Sequence, residues 1–587
     1  MNIGGYGFKM KDLVILAYKD GHDPAAAIMV NGQIVAAVEE ERFTRCKHDP
    51  GAFPKNSIDY CVSELAKINK EITHVVYARR KPIDTAIQVF RYYFTHPFQI
   101  IWNYRFVMSH LKVTVKGVKN QIIGNSQYKK IRKDFPKLPE KIYSIDHHTG
   151  HAASAYYFSG FKNALVITWD GKGEATTITV SLGLNGKLNR IYEWGIFSSL
   201  GFVYSGITEL LGFTPNDGEY KVMGMAALGK PKFDLSDLFN IHSFNGKNSP
   251  INPRWVMNID KYLHHKKIFI SDSNKFDIAA SFQYYLELIC LRIVSYWLEK
   301  TKMDHLVIAG GVGLNVKVNQ RLWEELQLRD IYIQPAAGDA GLVLGACALL
   351  QVKFSNNLVQ KLDNVYLGPS YKSDLIQDEL AHSNLIYTKI SNPSDVAADL
   401  ISKNKIVGWF QGRMEFGPRA LGNRSILANP THSKMQEIVN SKIKFREEFR
   451  PFCPSIEENT ALELIEKSKI SKFMTISFSA KNNVRERIPA VVHLDNSTRI
   501  QTVNQNDNFL YFQILESLED RIGIKAVLNT SMNVRGEPMC ESPKDAINFF
   551  KNTNVDALII GSYLVLREQQ AQEYKSEVTE NRLKTNY

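Results

Sequence analysis

Paired cysteines and long hydrophobic runs are both missing from this chain of 587 residues. Its six cysteines are scattered and none stands in a Cys-x-x-Cys pair, which argues against structural zinc and disulfides. We therefore expect the protein to reside in the reducing cytoplasm. No run reaches the roughly eighteen apolar residues of a membrane helix, and the N-terminus lacks the apolar core of a signal peptide. We therefore expect no membrane partner.

Long basic runs are also missing, although the formal net charge is +12. Such a charge suits nucleic acid or polyphosphate ligands, and without a basic run or recognition motif we expect no nucleic acid partner. The most aromatic stretch, 86–111, is interrupted by charged residues and predicts one or two helices that cover an apolar surface. The longer segment 86–130 is a candidate for shaping a substrate pocket.

The length predicts two or more domains, and the composition is that of a soluble globular protein. Short apolar strands at 13–17, 25–30 and 33–38, with Asn31-Gly32 as a hairpin turn, alternate with helical stretches further on. This alternation predicts an α/β class, and for the chain as a whole we expect α/β and α+β domains. Periodicity is lost near 356–367, so we place the boundary there, with domains at 1–365 and 366–587.

A histidine pair is the strongest chemical signal. His147 and His151 are four residues apart, which places both imidazoles on one face of a helix. Asp170 ends an apolar strand at 164–169, and Asp339 stands in a second glycine-rich turn after a short apolar run. Two histidines and two aspartates predict a site for a divalent ion, and the chemistry leaves iron(II), zinc and manganese open.

Glycine turns after strands indicate a nucleotide site. Gly310, Gly311 and Val312 follow an apolar strand and precede a helix, where backbone N–H groups can approach an anion. Asn315 is placed to cap that helix or to hold a ribose. With the Asp170-Gly171 turn, these loops favour nucleotide binding, and an ordinary tight turn is the alternative for any one of them.

The second half concentrates basic residues among glycines. Arg419 and Arg424 lie in the loop 412–425, and the segments that follow hold further candidates, namely Lys444, Arg499, Thr502, Asn529, Thr530 and Arg535. Guanidinium groups bind phosphate in a bidentate manner, so we expect a phosphate site here rather than a structural arginine network. Near the N-terminus, His22 and Lys47 could both face a ligand that lies over the first strands.

Assembled in order, these motifs resemble the NodU/CmcH-type O-carbamoyltransferases, a family that includes tobramycin carbamoyltransferase. The resemblance rests on segments spread over nearly the whole chain, which are 21–27, 40–49, 146–155, 310–315, 338–341, 412–427, 449–452 and 528–531. It implies an N-terminal domain of the actin, sugar-kinase and heat-shock-ATPase class (Kae-like) and a C-terminal YrdC-like domain.

The same resemblance implies a reaction and its cofactors. The C-terminal domain would make carbamoyl adenylate from carbamoyl phosphate and ATP with Mg²⁺, and the N-terminal domain would transfer the carbamoyl group to a hydroxyl of a small natural product. It assigns iron(II) to His147, His151, Asp170 and Asp339, and catalytic roles to His22, Lys47, Arg419, Lys444 and Arg535. A tRNA threonylcarbamoyl-adenosine type modifying enzyme is the alternative, and a homodimer stays open.

Overall fold

An apolar hairpin opens the part of the chain that the computed structural model describes, which is residues 12–122, 127–447 and 449–570. Strands β1 (Val14–Lys19), β2 (Ala25–Val30) and β3 (Gln33–Glu39) confirm the predicted strands. Asn31 and Gly32 both have positive φ, 48° and 91°, as a two-residue hairpin turn requires.

The hairpin belongs to a five-stranded sheet of order β3-β2-β1-β4-β5, in which β1, β4 and β5 run parallel. The remaining elements of this first unit are α1 (Glu41–Thr44), α2 (Lys55–Lys67), β4 (His74–Tyr77), α3 (Pro82–Thr95), α4 (Pro97–Trp102), α5 (Tyr104–Ile122), α6 (Gln127–Asp134) and β5 (Ile142–Ser144).

A second five-stranded sheet has the order β10-β9-β6-β7-β8. Its unit consists of α7 (His147–Ser159), β6 (Asn163–Gly173), β7 (Thr176–Leu184), β8 (Lys187–Gly195), α8 (Leu200–Leu210), α9 (Glu219–Ala226), α10 (Ile259–His265), α11 (Lys275–Thr301), β9 (His305–Ala309), α12 (Val316–Glu325), β10 (Asp330–Ile333) and α13 (Leu342–Phe354). The strand predicted at 164–169 is part of β6, which continues through Asp170 and Gly171 to Gly173, and the apolar strand predicted before Gly310 is β9.

Helices α7 and α13 lie between these two sheets. Helix α13 packs on β1 and β2, α7 packs on β6 and β9, and the two helices pack against each other. A Cβ on Gly345 would stand 1.9 Å from the carbonyl oxygen of Gly150, so only glycine permits this approach. The contact holds the N-terminal part of α7, which carries the histidine pair, against helix α13, which follows Asp339.

The chain then crosses 355–372, which contains no helix or strand, into an eight-stranded mixed sheet of order β11-β20-β19-β12-β13-β18-β14-β17. Its elements are α14 (Ser373–Ala381), β11 (Thr388–Lys389), α15 (Pro393–Ser402), β12 (Val407–Phe410), β13 (Arg424–Ala428), α16 (Met435–Val439), β14 (Cys453–Glu457), α17 (Glu458–Leu464), β15 (Phe478–Ser479), α18 (Val484–Arg487), β16 (Ser497–Thr498), β17 (Gln501–Val503), α19 (Phe509–Ile522), β18 (Ala526–Ser531), α20 (Pro543–Asn552), β19 (Ala557–Ile560) and β20 (Tyr563–Leu566). Strands β15 and β16 form a separate pair.

Hydrogen bonds join the two halves at several places. Gly417 N donates to Glu39 Oε1 at 2.7 Å, and Arg42 donates back to Gly417 O at 3.0 Å. On another face, the Trp323 indole donates to Lys467 O at 2.9 Å. The two contacts of Gly417 hold the arginine-rich loop 412–425 against the first sheet. The class predicted from the sequence, α/β, is confirmed.

One described helix, α11, is long and apolar enough to cross a membrane, and 61% of its most apolar window is buried inside the protein.

Candidate active site

The N-terminus of α7 positions the histidine pair. Asp146 caps the helix by accepting a hydrogen bond from Thr149 N at 2.8 Å. His147 and His151 then lie one turn apart on the same face, both buried, with their Nε2 atoms 3.1 Å apart. Two facing ring nitrogens at this distance must share a proton or a cation.

Two carboxylates complete the cluster, as the sequence predicts. Asp170 Oδ2 lies 3.0 Å from His147 Nε2, and Asp339 Oδ1 lies 3.6 Å from both histidine Nε2 atoms. One ligand atom from each of the four residues lies within 4.8 Å of the other three. We call His147, His151, Asp170 and Asp339 the metal-ligand cluster. Its two nitrogens and two oxygens converge as a borderline divalent cation requires.

The electrostatics of the cluster also fit a cation. Burial alone would raise the pKa of Asp170, but hydrogen bonds from His147 and His151 hold that pKa well below its ordinary value. Burial likewise opposes ionisation of Asp339, and nearby Lys19 and His147 keep its pKa well below the usual range. Both carboxylates are therefore ionised, and buried carboxylates require compensating positive charge.

The third histidine of the run has a structural role. His148 Nδ1 lies 2.8 Å from the Thr168 hydroxyl and its Nε2 lies 3.1 Å from Thr176 O. Burial, together with His147 and His151, lowers the pKa of His148 to about 3, so this ring stays neutral. It pins α7 to β6 and leaves the ligand positions to its two neighbours.

The predicted glycine loop lies directly against the metal-ligand cluster. Gly310 has a φ of 94°, and a Cβ there would stand 2.2 Å from Trp169 O, so the loop reaches β6 only with glycine. Gly311 N donates to Asp170 Oδ1 at 3.1 Å. Val312 is buried in the short turn that follows.

Asn315 caps α12, which is one of the two roles that the sequence leaves open. Its side-chain oxygen accepts from Lys317 N and Val318 N at 3.2 and 3.1 Å, and its amide donates to Gln283 at 3.0 Å. Gly171, which follows Asp170 within β6, accepts a hydrogen bond from the Ser199 hydroxyl at 2.7 Å. The loop residues predicted to bind nucleotide therefore gather around Asp170.

A second polar cluster surrounds His22 and Lys47. His22 Nδ1 lies 3.6 Å from Asp23 Oδ1, His48 Nδ1 lies 2.6 Å from the same oxygen, and Lys47 pairs with Asp217. Buried Lys19 links this cluster to the metal ligands, because its Nζ donates to His22 O and lies 3.1 Å from Asp339 Oδ2. The sequence analysis missed Lys19, although a lysine that ends an otherwise apolar strand was the available signal.

Four arginines gather in the C-terminal half, and we call Arg419, Arg446, Arg450 and Arg499 the arginine cluster. Burial and nearby Arg499 lower the pKa of Arg419 to about 9, and burial and nearby Arg450 do the same for Arg446. Arg450 is paired with Glu447 at 3.5 Å, and the Nε of Arg499 contacts Cys453 Sγ at 3.0 Å. Crowded, half-buried like charges of this kind favour an anionic ligand.

Lys444 lies beside the arginine cluster. Its buried Nζ donates to Ser531 O at 2.5 Å and to Asn533 Oδ1 at 2.8 Å. Burial, with Arg446 and Arg450, holds the pKa of Lys444 well below its ordinary value. A nearby anion would restore the charge of this ammonium group.

Arg424 does not join the cluster. Its guanidinium is fully buried and donates to carbonyl oxygens of Gln411, Pro369 and Glu541 at 2.6, 3.1 and 3.3 Å. It also lies 3.7 Å from the centroid of the Phe410 ring. These contacts occupy the donors that phosphate would need. In this arrangement Arg424 holds the loop 412–425 to the sheet, which is the structural role weighed against phosphate binding in the sequence.

The other predicted residues differ in their surroundings. Arg535 is exposed and lies 3.6 Å from Glu447, whereas Thr502 is buried and exchanges hydrogen bonds with Ser471. Asn529 donates to Ser455 Oγ at 3.0 Å, and Thr530 follows it on β18, half-buried. Of these four, Arg535 shares Glu447 with Arg450 of the arginine cluster.

Glu415 organises the arginine-rich loop, and the sequence analysis missed it. Its Oε1 accepts from the backbone N–H groups of Leu421, Asn423 and Arg424 at 2.7, 2.8 and 3.3 Å. A buried carboxylate that receives three N–H groups fixes the path of the loop that carries Arg419.

Comparisons with known proteins agree with this arrangement. The family model described as carbamoyltransferase N-terminus matches residues 14–348, and the model described as carbamoyltransferase C-terminus matches 398–567. This chain belongs to the carbamoyltransferase family. The metal-ligand cluster lies within the first match, and the arginine cluster lies within the second. The family predicted from the sequence is confirmed, and the protein is an enzyme of carbamoyl transfer.

Relatives align over most of this carbamoyltransferase. An uncharacterised protein of Synechocystis is 34% identical over 95% of this chain and 97% of its own length, and nodulation protein NolNO of Sinorhizobium fredii is 32% identical over 94% and 80%. Among solved structures, HypF of T. kodakarensis covers 60% of this chain and 51% of its own, with TM-score 0.37 and 13% identity. The Kae-like and YrdC-like assignments of the two domains stay predictions.

Proposed function

We propose that this carbamoyltransferase is ATP-dependent and works in two steps at two places. The arginine cluster binds carbamoyl phosphate and ATP and forms carbamoyl adenylate. The metal-ligand cluster and the Gly310-Gly311 loop then receive the adenylate, and a hydroxyl group of a small polar natural product takes the carbamoyl group.

The observation that carries the proposal is the separation of two kinds of charge. The first site offers two ionised carboxylates and two imidazoles, a donor set for a cation. The second offers several half-buried guanidinium groups beside one another, a setting for phosphates. A single-step transfer from carbamoyl phosphate would need only one of them.

In the first step, carbamoyl phosphate loses its phosphate to water and yields carbamate. A carbamate oxygen then attacks the α-phosphorus of ATP, and the bond to pyrophosphate breaks. Arg419 and Arg499 would neutralise the charge that develops on the phosphoryl oxygens, with Mg²⁺ on the ATP phosphates. Lys444 would gain a proton as phosphate binds, because burial disfavours its charge in the free enzyme.

In the second step the acceptor oxygen attacks the carbamoyl carbon and AMP leaves. The N–H groups of the glycine loop, His22 and Lys47 would hold the phosphate side of the adenylate. A divalent cation held by the metal-ligand cluster would polarise the carbamoyl oxygen. Iron(II), the metal implied by the resemblance, fits this donor set, as do zinc and manganese.

The test follows both half-reactions in the purified enzyme. Incubation with carbamoyl phosphate and ATP should release pyrophosphate and give carbamoyl adenylate by mass spectrometry, and a polar metabolite extract should then yield products heavier by one carbamoyl group. Pyrophosphate release that does not depend on carbamoyl phosphate would contradict the first step. Transfer without ATP would contradict the two-step scheme.

A further inference from the structure

The helices α3, α4 and α5 form a hairpin that is apolar on two sides. Its inner stripes are buried against the second sheet and comprise Ala86, Val89 and Tyr93 on α3, and Val107, His110 and Thr114 on α5. This much agrees with the helices predicted over 86–111. A helix that only covers a core has a polar outer side, whereas these helices also expose large apolar side chains there.

The outer stripes repeat at helical spacing and are exposed. They consist of Ile83, Ile87, Phe90 and Phe94 on α3, Phe98, Ile101 and Trp102 on α4, and Tyr104, Met108 and Val115 on α5. At the tip the exposed fractions reach 88% for Phe94, 74% for Phe98 and 72% for Ile101. We call these side chains the outer face. In the described part of the chain these side chains are open to solvent, and exposed apolar surface of this kind marks an interaction site.

The hairpin is firmly held at its inner side, so the exposure does not come from loose packing. Tyr93 Oη lies 2.8 Å from His110 Nδ1, and burial with nearby Lys172 lowers the pKa of His110 to about 4, which keeps this ring neutral. The Phe106 ring packs on Phe202 with centroids 5.6 Å apart. Asn103 donates to Pro253 O at 2.9 Å.

The charges around the outer face have one dominant sign. The segment 81–119 contains six lysines and arginines, which are Lys81, Arg91, Arg105, Lys112, Lys116 and Lys119, against the single acidic residue Asp84. All six basic side chains are exposed. Exposed aromatic and aliphatic side chains with a basic surround are the pattern of helices that lie in a membrane interface.

We propose that the outer face binds an anionic lipid bilayer, with the tip of the hairpin inserted among the lipid head groups. Anionic lipids attract the basic residues, and the aromatic side chains take the boundary between head groups and acyl chains. A second copy of this chain suits the face less well, because symmetric pairing would bring the two sets of basic residues together. The proposal does not depend on the reaction scheme above.

Vesicle flotation with the full-length enzyme tests the proposal. We expect the protein to float with phosphatidylcholine vesicles that contain phosphatidylglycerol, to float much less with phosphatidylcholine alone, and to be released by added salt. Equal binding to both kinds of vesicle would overturn the role of charge. If the protein floats with neither kind of vesicle, the proposal is wrong. Concentration-dependent dimerisation or a bound acidic protein would then identify what covers the outer face.

Trp102 supplies an independent readout, because it is the only exposed one of the seven tryptophans. Vesicles with brominated acyl chains should quench part of the fluorescence of the parent enzyme. Trp102→Phe should float as the parent does but lose the quenching. Quenching that persists in Trp102→Phe would mean that another part of the chain meets the lipid.

Two variants separate the contributions of charge and apolar contact. Arg91→Glu with Lys112→Glu should weaken binding to anionic vesicles by about tenfold or more, and Phe94→Ser with Phe98→Ser should abolish flotation. Phe269→Ser, which changes a phenylalanine that is 64% exposed elsewhere, is the matched control and should float normally. All variants should keep the parent melting temperature and release pyrophosphate at the parent rate. Equal loss in Phe269→Ser would contradict the assignment to the hairpin.

Discussion

Lys47 and Arg450, which come from different halves of the chain, both contact the ring of Tyr220. The Lys47 ammonium lies 5.8 Å from the ring centroid and the Arg450 guanidinium lies 4.5 Å from it. Tyr220 stands in α9, and it thus lies between the polar cluster around His22 and the arginine cluster. The two proposed reaction sites are neighbours across a single aromatic side chain.

Tyr220→Ala should uncouple the two steps. Without the ring, water enters between the sites, and carbamoyl adenylate, a mixed anhydride, hydrolyses before transfer. We expect carbamoyl-phosphate-dependent ATP consumption to continue while free carbamate and AMP accumulate, which chromatography of the quenched reaction measures. Tyr220→Phe keeps the cation–π contacts and should transfer normally. Equal product yield in Tyr220→Ala and the parent would contradict a protected passage.

Removal of a metal ligand should abolish transfer and spare adenylate formation. In His151→Ala or Asp339→Ala we expect the bound metal, measured by elemental analysis, to be lost, and transfer to fall on the order of a thousandfold. Pyrophosphate release should continue, since the arginine cluster is separate.

His148→Asn is the matched control for these ligand variants, because it removes a buried histidine from the same turn. It should unfold at a lower temperature, since His148 joins α7 to β6 through Thr168 and to β7 through Thr176, yet it should retain the metal. Full metal content in His151→Ala, or loss of metal in folded His148→Asn, would contradict the ligand assignment.

Arg419 and Arg424 should respond differently to the same substitution. Arg419→Ala should melt near the parent temperature but lose pyrophosphate release by about a hundredfold or more, and chemically supplied carbamoyl adenylate should restore transfer. Arg424→Ala leaves several buried carbonyls without a donor and should cost about 3 kcal/mol or more of stability, measured by urea unfolding. If Arg424→Ala were fully stable and only inactive, its guanidinium would bind substrate after all.

His48 should make the fold less stable at alkaline pH. Burial opposes its charge, but hydrogen bonds to Asp217 and Asp23 raise the pKa of His48 to about 9, above the ordinary 6.5. Because the folded pKa is the higher one, the stabilisation is complete below about pH 6.5 and is lost as the pH rises through about 9. His22, Lys47 and Glu41 are the other charged or titratable groups nearby.

Urea midpoints of the parent and His48→Gln, measured from about pH 6 to about pH 10, test this. The two midpoints should differ at the acid end and converge at the alkaline end. His305→Gln, which changes a half-buried histidine paired with Asp304, should follow the parent throughout. A difference that grows with pH would refute the sign of the effect.

The metal-ligand cluster was predictable because each of its members carries a local signal. His147 and His151 share a helix face by spacing, and Asp170 and Asp339 follow short apolar runs beside glycine. These runs can be read from the chain, although β6 continues past Asp170 to Gly173. The sequence assigns Arg424 to phosphate because this arginine stands in a glycine-rich loop. The carbonyl oxygens that accept from its guanidinium cannot be recognised in the sequence. Lys19, Glu415 and Tyr220 act through partners far away in the sequence, and their contacts depend on tertiary packing.

The Lys19–Asp339 ion pair joins strand β1 of the first sheet to the turn that precedes α13, while both histidines and Asp170 belong to the layer of the second sheet. A cation captured by the four ligands competes with Lys19 for the same carboxylate. Cation binding and the Lys19–Asp339 contact between the sheets are therefore linked, and the linkage is reciprocal. A cation that displaces Lys19 must weaken this contact by the same factor with which the contact weakens cation binding.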